Sequence, residues 1–314
     1  MQHVVFEIGK HVFRAQLNDK TPNICRLLLS RLPVITSAVH AKFAGDEIIT
    51  MVPFYADPEN EILNVTAGDI GYYPGRQTFC LFYGDVKPFG AVSVFASIEN
   101  PLEPVRAAAR EILKSNSLPV VIRAEDSTRA SNVAEVSPGI GSEDQPPGFV
   151  CEYWKKAWLS TPEDLLRLQQ THRPPSGTMP CILYACFNLF WLGEELQILR
   201  RLVYQQNDQD KVLNSNRQMV EALLRHHAMR LEKWGMTDTS VFLRQFADFV
   251  ADRALEIKPL LSALEMSWIA LNRMQSHIDA KIPWNTLDEH ERALAGSASP
   301  DVSRPDQSYQ ISPR

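Results

Sequence analysis

The chain has 314 residues, enough for two domains, and 45% of them are hydrophobic, the share of an ordinary globular protein. A net charge of −5 and a pI near 5.9 speak against a nucleic-acid or anionic-membrane partner. The longest apolar stretch, 179–192, contains Asn188 and is too short to cross a bilayer, and the N-terminal residues lack the pattern of a signal peptide, so a cytoplasmic protein is expected. Five cysteines (Cys25, Cys80, Cys151, Cys181, Cys186) without a CxxC pair read as reduced thiols, not as a disulfide frame or a zinc site.

Residues 2–17 alternate in polarity, Val5, Phe13, Ala15 and Leu17 against Glu7, Arg14 and Gln16, and predict two strands joined at Gly9-Lys10. Thr21-Pro22 opens a helix carrying Ile24, Leu27, Leu28 and Leu32, with Thr21 as its cap and Pro33 as its stop. Residues 34–53 return to strand character. Ala38, His40 and Lys42 fall on one face and Val39, Ala41 and Phe43 on the other, and a turn at Gly45-Asp46 leads into a strand over 47–52. After a loop over 53–61 comes the most informative stretch, 66–84. Gly68, Gly71 and Gly75 break its backbone, Pro74 stiffens it, and Asp69, Tyr72, Tyr73 and Arg76 cluster around the breaks. The apolar run 77–83, ended by Gly84, predicts a buried strand. A strand over 91–98, a helix over 104–114 and a strand over 118–123 complete a mostly β segment, which suggests a small closed barrel.

Residues 125–148 are rich in Ser, Glu, Asp, Pro and Gly and read as a linker. All six tryptophans lie beyond residue 150, where the apolar period turns helical. A capping box at Ser160-Thr-Pro-Glu163 opens a helix to about residue 172. Helices over 179–206, 212–234 (closed by Gly235), 238–258 and 259–281 follow, then a second capping box at Thr286-Leu-Asp-Glu289 before a last short helix. Trp154, Trp158, Trp191 and Trp268 are expected in the bundle core or at an interface between domains. The division is 1–124 barrel, 125–148 linker, 149–295 helical bundle and 296–314 flexible tail.

Several chemistries lack their signatures. No GxGxxG joins a strand to a helix, since Gly139-Ile-Gly141 lies in the linker, and neither GxxxxGK[ST] nor HExxH occurs. His226 and His227 are adjacent, and neighbours on a helix point about 100° apart, a poor arrangement for one metal ion. Two sets remain: Asp69, Tyr72, Tyr73 and Arg76 on the glycine-broken stretch, and His40, Lys42 and Glu47 on the preceding strands. In a small barrel they could converge at one mouth, where histidine and carboxylates carry protons and cations hold carboxylates. The plainer reading is a tight barrel turn and a solvated strand face, with Tyr83 in the core.

The segment Arg14-Ala-Gln-Leu17, the helix after Thr21-Pro22 and the run Ala67-Gly-Asp-Ile-Gly-Tyr-Tyr-Pro-Gly75 together resemble the bacterial cyclophilin-like barrel family, over roughly residues 3–124. The expected fold is therefore multidomain α and β: an N-terminal cyclophilin-like β-barrel with short helices and a C-terminal all-α helical bundle. A barrel of this kind followed by an acidic linker and a Trp-rich bundle is similar to the opine synthases of the cucumopine and mikimopine type. The prolyl-isomerase signature of true cyclophilins does not align, so that activity is not expected.

What the opine-synthase resemblance implies is a condensation of L-histidine with 2-oxoglutarate. The amine attacks the ketone, water leaves to give an iminium, and an imidazole carbon closes the ring, a Pictet–Spengler-type cyclisation that needs no cofactor and no metal. For such a reaction Asp69, His40 and Glu47 are the candidate proton carriers, with Tyr72 or Tyr73 as phenolic donor. Arg76, Lys42 and Arg14 are the candidates to hold carboxylates, with Tyr83 beside the substrate. The alternatives are an NAD(P)H-dependent reductive opine dehydrogenase and a non-enzymatic small-molecule-binding protein. The partners expected are the two small-molecule substrates and further copies of the chain in a homo-oligomer, with no nucleic acid and no membrane.

Overall fold

The structure is a computed structural model that describes residues 2–42, 44–99, 101–125, 146–170, 181–205, 209–252 and 257–280. Among the described residues nine strands occur: β1 (His3–Ile8), β2 (His11–Leu17), β3 (Val34–His40), β4 (Gly45–Met51), β5 (Glu61–Ile62), β6 (Asp69–Tyr73), β7 (Thr78–Val86), β8 (Val92–Ile98) and β9 (Leu118–Ala124). Two helices lie among them, α1 (Pro22–Leu29) and α2 (Glu103–Ser115). Six more follow: α3 (Gly148–Leu159), α4 (Glu163–Gln170), α5 (Cys181–Gln205), α6 (Gln209–Lys233), α7 (Thr237–Ala251) and α8 (Ile257–Asp279).

The strands pair in the order β2-β1-β9-β3-β4-β7-β6-β8, and β8 returns to β2 through Ala15 opposite Ile98 and Leu17 opposite Ala96, which closes the ring. The two-residue β5 adds to β8. Every pairing is antiparallel among the described residues, an architecture distinct from the parallel βαβ sheet of a dinucleotide-binding domain. Strand periodicity sorts the side chains: Phe6, Phe13, Ile48, Ile70, Tyr72, Phe79, Leu81 and Phe95 fill the barrel, and α1 and α2 pack into the same core. Thr21 precedes α1 as expected, but its hydroxyl bonds back to the Asn18 carbonyl. The helix is capped from the loop instead, where Glu59 accepts from the Asn23 and Ile24 amides at 3.0 Å each.

The stretch expected to be a glycine-broken turn is mostly strand. Gly71 sits in the middle of β6, where a Cβ would come within 2.8 Å of Val92 on β8, so its role is close strand packing. The chain turns at 67–68, where Gly68 has φ 105°, and again at Pro74–Arg76, a 3-10 helix that leads into Gln77 in the left-handed region at φ 46°.

The second half is the expected helical bundle. The sequence reading placed its first helix at the 160–163 capping box. Yet α3 precedes that box, and the Ser160 hydroxyl donates to the Lys156 carbonyl at the end of α3. Gly235 ends α6 at φ 88°, with the Met236 amide donating to Leu231 as a helix stop requires. Most of the linker reading over 125–148, the second capping box and the 296–314 tail lie outside the described residues.

Barrel and bundle pack directly. Part of the outer face of the barrel wall is covered by the helices: Met51 and Tyr55 join the bundle core with Trp154, Leu189 and Trp268. Arg200 of α5 lies 3.8 Å from the Tyr55 ring centre and pairs with Asp57 of the barrel at 3.1 Å and with Glu265 of α8 at 3.2 Å. Arg273 of α8 reaches the Thr36 and Ser37 hydroxyls of β3.

Candidate active site

The same alternation that buries Ile48, Phe79 and Leu81 inside the barrel turns Glu47 and Ile49 of β4, and Thr78 and Cys80 of β7, toward the helices. Between this outer face and helices α5 and α8 lies a cavity of about 320 Å³. Its walls are largely apolar: Val92 and Phe89 from the barrel side, and Leu183, Phe187, Phe190 and Trp191 from α5. Phe89 and Trp191 are 72% and 58% exposed, which puts them at the rim, and both stand edge-on to Phe190.

The charged residues lining the cavity are Lys42, Glu47, Arg76 and Asp279. Glu47 is 4% exposed. Burial raises its pKa from the ordinary carboxylate range to about 7, against the opposing pull of a bond from the Cys80 thiol and the charge of Arg76. A carboxyl poised at neutrality inside an apolar cavity can both give and take a proton. Burial also pushes the Cys80 thiol well up, with the charge of Glu47 adding to the effect, and holds the Cys186 thiol at about 11, so both remain protonated.

Arg76 ends the 3-10 turn. Its guanidinium donates to the Gln275 side-chain oxygen on α8 and lies 5.3 Å from the Phe190 ring centre. Tyr73 also lines the cavity. Its ring passes between two glycines, since a Cβ at Gly75 would lie 3.0 Å from it and one at Gly90 3.1 Å. Lys42 and Asp279 face one another at 3.6 Å, each 11% exposed at the side chain.

Of the nine residues singled out in the sequence, Glu47, Tyr73, Arg76 and Lys42 line this cavity. The other five do not, and the expected convergence at a barrel mouth is replaced by a site on the barrel's flank. Tyr72 is fully buried in the barrel, where its hydroxyl accepts from the Ala56 amide at 3.0 Å. Asp69 braces its own turn, accepting from the Thr66 amide at 2.8 Å and hydroxyl at 2.9 Å. His40 and Tyr83 bond to each other at 2.6 Å, with Tyr83 in the barrel core and the other His40 nitrogen on the Ala41 carbonyl. Arg14 pairs on the surface with Glu99 and Glu125.

Gln275, Asp279, Cys186 and the aromatic wall of α5 escaped the sequence reading because they are contributed by the bundle. One signal pointed to them. The run 77–83 has no polar face, so both sides of β7 had to be covered, and the outer cover is the bundle. Among the described residues no group of three or more His, Cys, Asp or Glu could hold a metal ion. His227 instead bonds Glu195 at 3.0 Å, with its ring at 82° to that of His226.

Residues 2–112 match the cyclophilin-like family. The chain is similar in structure to McbB, solved in complex with tryptophan, with a TM-score of 0.74 at 15% identity over 91% of this chain and 99% of that one. A hypothetical protein from Archaeoglobus fulgidus aligns at a TM-score of 0.33 and 23% identity, over 39% of this chain and 94% of that one. No curated protein matches the chain by sequence.

Proposed function

We propose that the protein is an enzyme that condenses the amine of an aromatic amino acid with the carbonyl of an oxo acid and closes a ring on the resulting iminium, with Glu47 as the proton carrier. The observation that carries this reading is a buried carboxyl, pushed up by burial to about 7, that lines a cavity walled by aromatic side chains. Such a reaction moves protons and no electrons. The amine adds to the carbonyl carbon; the carbinolamine oxygen takes a proton and leaves as water; the ring carbon attacks the iminium carbon; and the proton on that ring carbon departs to restore aromaticity. A group half-protonated at neutrality serves the second step as acid and the last as base. Tyr73 is a second donor within the same cavity. Arg76 suits the carboxylate of the oxo acid, which would replace the Gln275 amide on its guanidinium. The apolar walls keep water from the iminium, and holding both reactants together supplies up to about 7–11 kcal/mol of the barrier reduction.

L-Histidine with 2-oxoglutarate is the finer reading carried over from the sequence. A second pairing is favoured by the lining itself. Five aromatic side chains, Tyr73, Phe89, Phe187, Phe190 and Trp191, line the cavity. A larger aromatic amine such as tryptophan, which McbB holds, fills these walls better. Mass spectrometry of the protein incubated with each amino acid and 2-oxoglutarate tests the proposal. The expected product has the summed mass of both substrates less one water, and Glu47→Gln should lower its rate of formation by about 10²–10⁴-fold. An unchanged mixture for every aromatic amino acid and oxo acid tried sinks the reading.

A further inference from the structure

The Lys42–Asp279 pair is built unlike the other buried pairs of the molecule. Arg200 spends its donors on two carboxylates at 3.1 and 3.2 Å, and Asp164 accepts hydrogen bonds of 2.6–3.0 Å. Lys42 and Asp279 are nearly as enclosed, yet 3.6 Å separates their charged atoms, and neither side chain makes a hydrogen bond among the described residues. An ammonium has three donors and a carboxylate about four acceptor sites. Burying a charge pair with that capacity unused is unfavourable unless further bonds are made. Both groups line the cavity, one from the barrel and one from the bundle.

Asp279 is also misplaced for helix stability. It is the last residue of α8, where the exposed carbonyls form the negative end of the helix dipole and disfavour a carboxylate. A ligand cation at that spot meets both the carboxylate and the helix end. From these observations we propose that Lys42 and Asp279 form a clamp for the zwitterion of an α-amino acid, Asp279 taking the ammonium and Lys42 the carboxylate. This rests on the reading of the cavity as an amine–carbonyl site and divides it in two. The amino acid is held at the junction of barrel and bundle, while Arg76 and Glu47 face the oxo acid. It also accounts for why the cavity forms at this junction, since neither domain alone carries both charges.

Isothermal titration calorimetry on the full-length protein tests the clamp without turnover, using L-tryptophan, L-histidine, tryptamine (no carboxylate) and indole-3-propionate (no ammonium). At least one amino acid is expected to bind wild-type protein, and each truncated analogue at least about tenfold more weakly than tryptophan, as loss of a charge-assisted bond implies. Asp279→Asn should weaken amino-acid binding by about tenfold or more and leave indole-3-propionate unchanged. Lys42→Met should do the same for the amino acid and leave tryptamine unchanged. The clamp is overturned if wild-type protein binds neither amino acid or binds the analogues as well as tryptophan. It is equally overturned if Asp279→Asn changes amino-acid affinity by less than twofold or weakens all four ligands alike, as a structural defect would. Selective binding without ring-closed product would refute the enzyme reading and leave the clamp standing. Product formation with an unaltered KM in Asp279→Asn would refute the clamp alone.

Discussion

Arg76 of the barrel donates its guanidinium to the side-chain oxygen of Gln275 on α8, and the Gln275 amide in turn reaches the Cys186 sulfur at 3.2 Å. One neutral side chain thus orients the cation at the cavity wall, and an anionic ligand can displace it without expelling a carboxylate. Arg76→Ala is expected to raise KM for the oxo acid by about 10- to 100-fold, the worth of hydrogen bonds to a charged group, with KM for the amino acid nearly unchanged. Steady-state kinetics with each substrate varied in turn, beside a thermal melt, checks this. A large fall in melting temperature with an unaltered KM would mean that Arg76 only braces the 3-10 turn.

The pKa of Glu47 yields a prediction with opposite signs for activity and stability. The fold raises this carboxyl from 4.5 to about 7, so the protonated form is the one the folded chain prefers. Its contribution to stability is complete below about pH 4.5 and is lost as pH rises through about 7. Glu47→Gln, which stays neutral, should match wild type near pH 3.5, below the unfolded carboxyl pKa, and exceed it at pH 9 by up to roughly 3 kcal/mol. The same variant should lose about 10²–10⁴-fold in turnover, and the wild-type kcat/KM profile should bend near pH 7. Urea denaturation at the two pH values, beside a pH–rate profile, tests both halves.

Tyr72 and Tyr73 show how far the sequence could be read. Both were singled out because they follow Gly71 in a stretch that looked like a turn. Since that stretch is a strand, successive side chains point to opposite faces: Tyr72 enters the barrel core and Tyr73 the cavity. The barrel strands and the helical bundle were legible because period-two and helical patterns are local. The site was half legible for the same reason. Glu47, Lys42 and Arg76 carry charge in strands and turns otherwise bound for burial, which marks them from sequence alone. Their partners Gln275 and Asp279 are more than 190 residues away in the chain, on a helix whose orientation no local pattern fixes. Asp69 misled because a carboxylate bonding three residues back is as common at a turn as in a site.

The bundle has its own keystone. Asp164 of α4 is 1% exposed and accepts from the Asp238 amide, the Thr239 amide and the Thr239 hydroxyl, which caps α7 from a neighbouring helix, while Arg167 pairs with it at 2.6 Å. Asp164→Ala leaves the Asp238 and Thr239 amides without their acceptor, while Arg167 keeps Asp238 and Glu163, and should destabilise the protein by about 1–3 kcal/mol. No catalytic role is attached to it, so kcat measured well below the new melting temperature should stay within about twofold of wild type. A loss of activity in fully folded variant would show that α4 and α7 couple to the cavity.

Gly193 sets the distance between α5 and α8, and with it the geometry of the site. A Cβ there would lie 2.5 Å from the Asn272 side-chain oxygen. Asn272 is not free to yield, since its amide donates to the Gln77 side chain at 2.7 Å and to the Gly75 carbonyl at 3.4 Å, inside and just after the turn that presents Arg76. Replacing a helical glycine by alanine ordinarily stabilises by about 1 kcal/mol, and crowding a packed interface costs about 1–3 kcal/mol. Here crowding should win. Gly193→Ala is expected to lower the melting temperature and to raise KM for the oxo acid through a shifted Arg76. Asn272→Ala, which removes the same bonds without crowding, should reproduce the KM effect. A Gly193→Ala protein more stable than wild type and kinetically unchanged would mean that the helices part without disturbing the turn, and that the cavity does not depend on this contact.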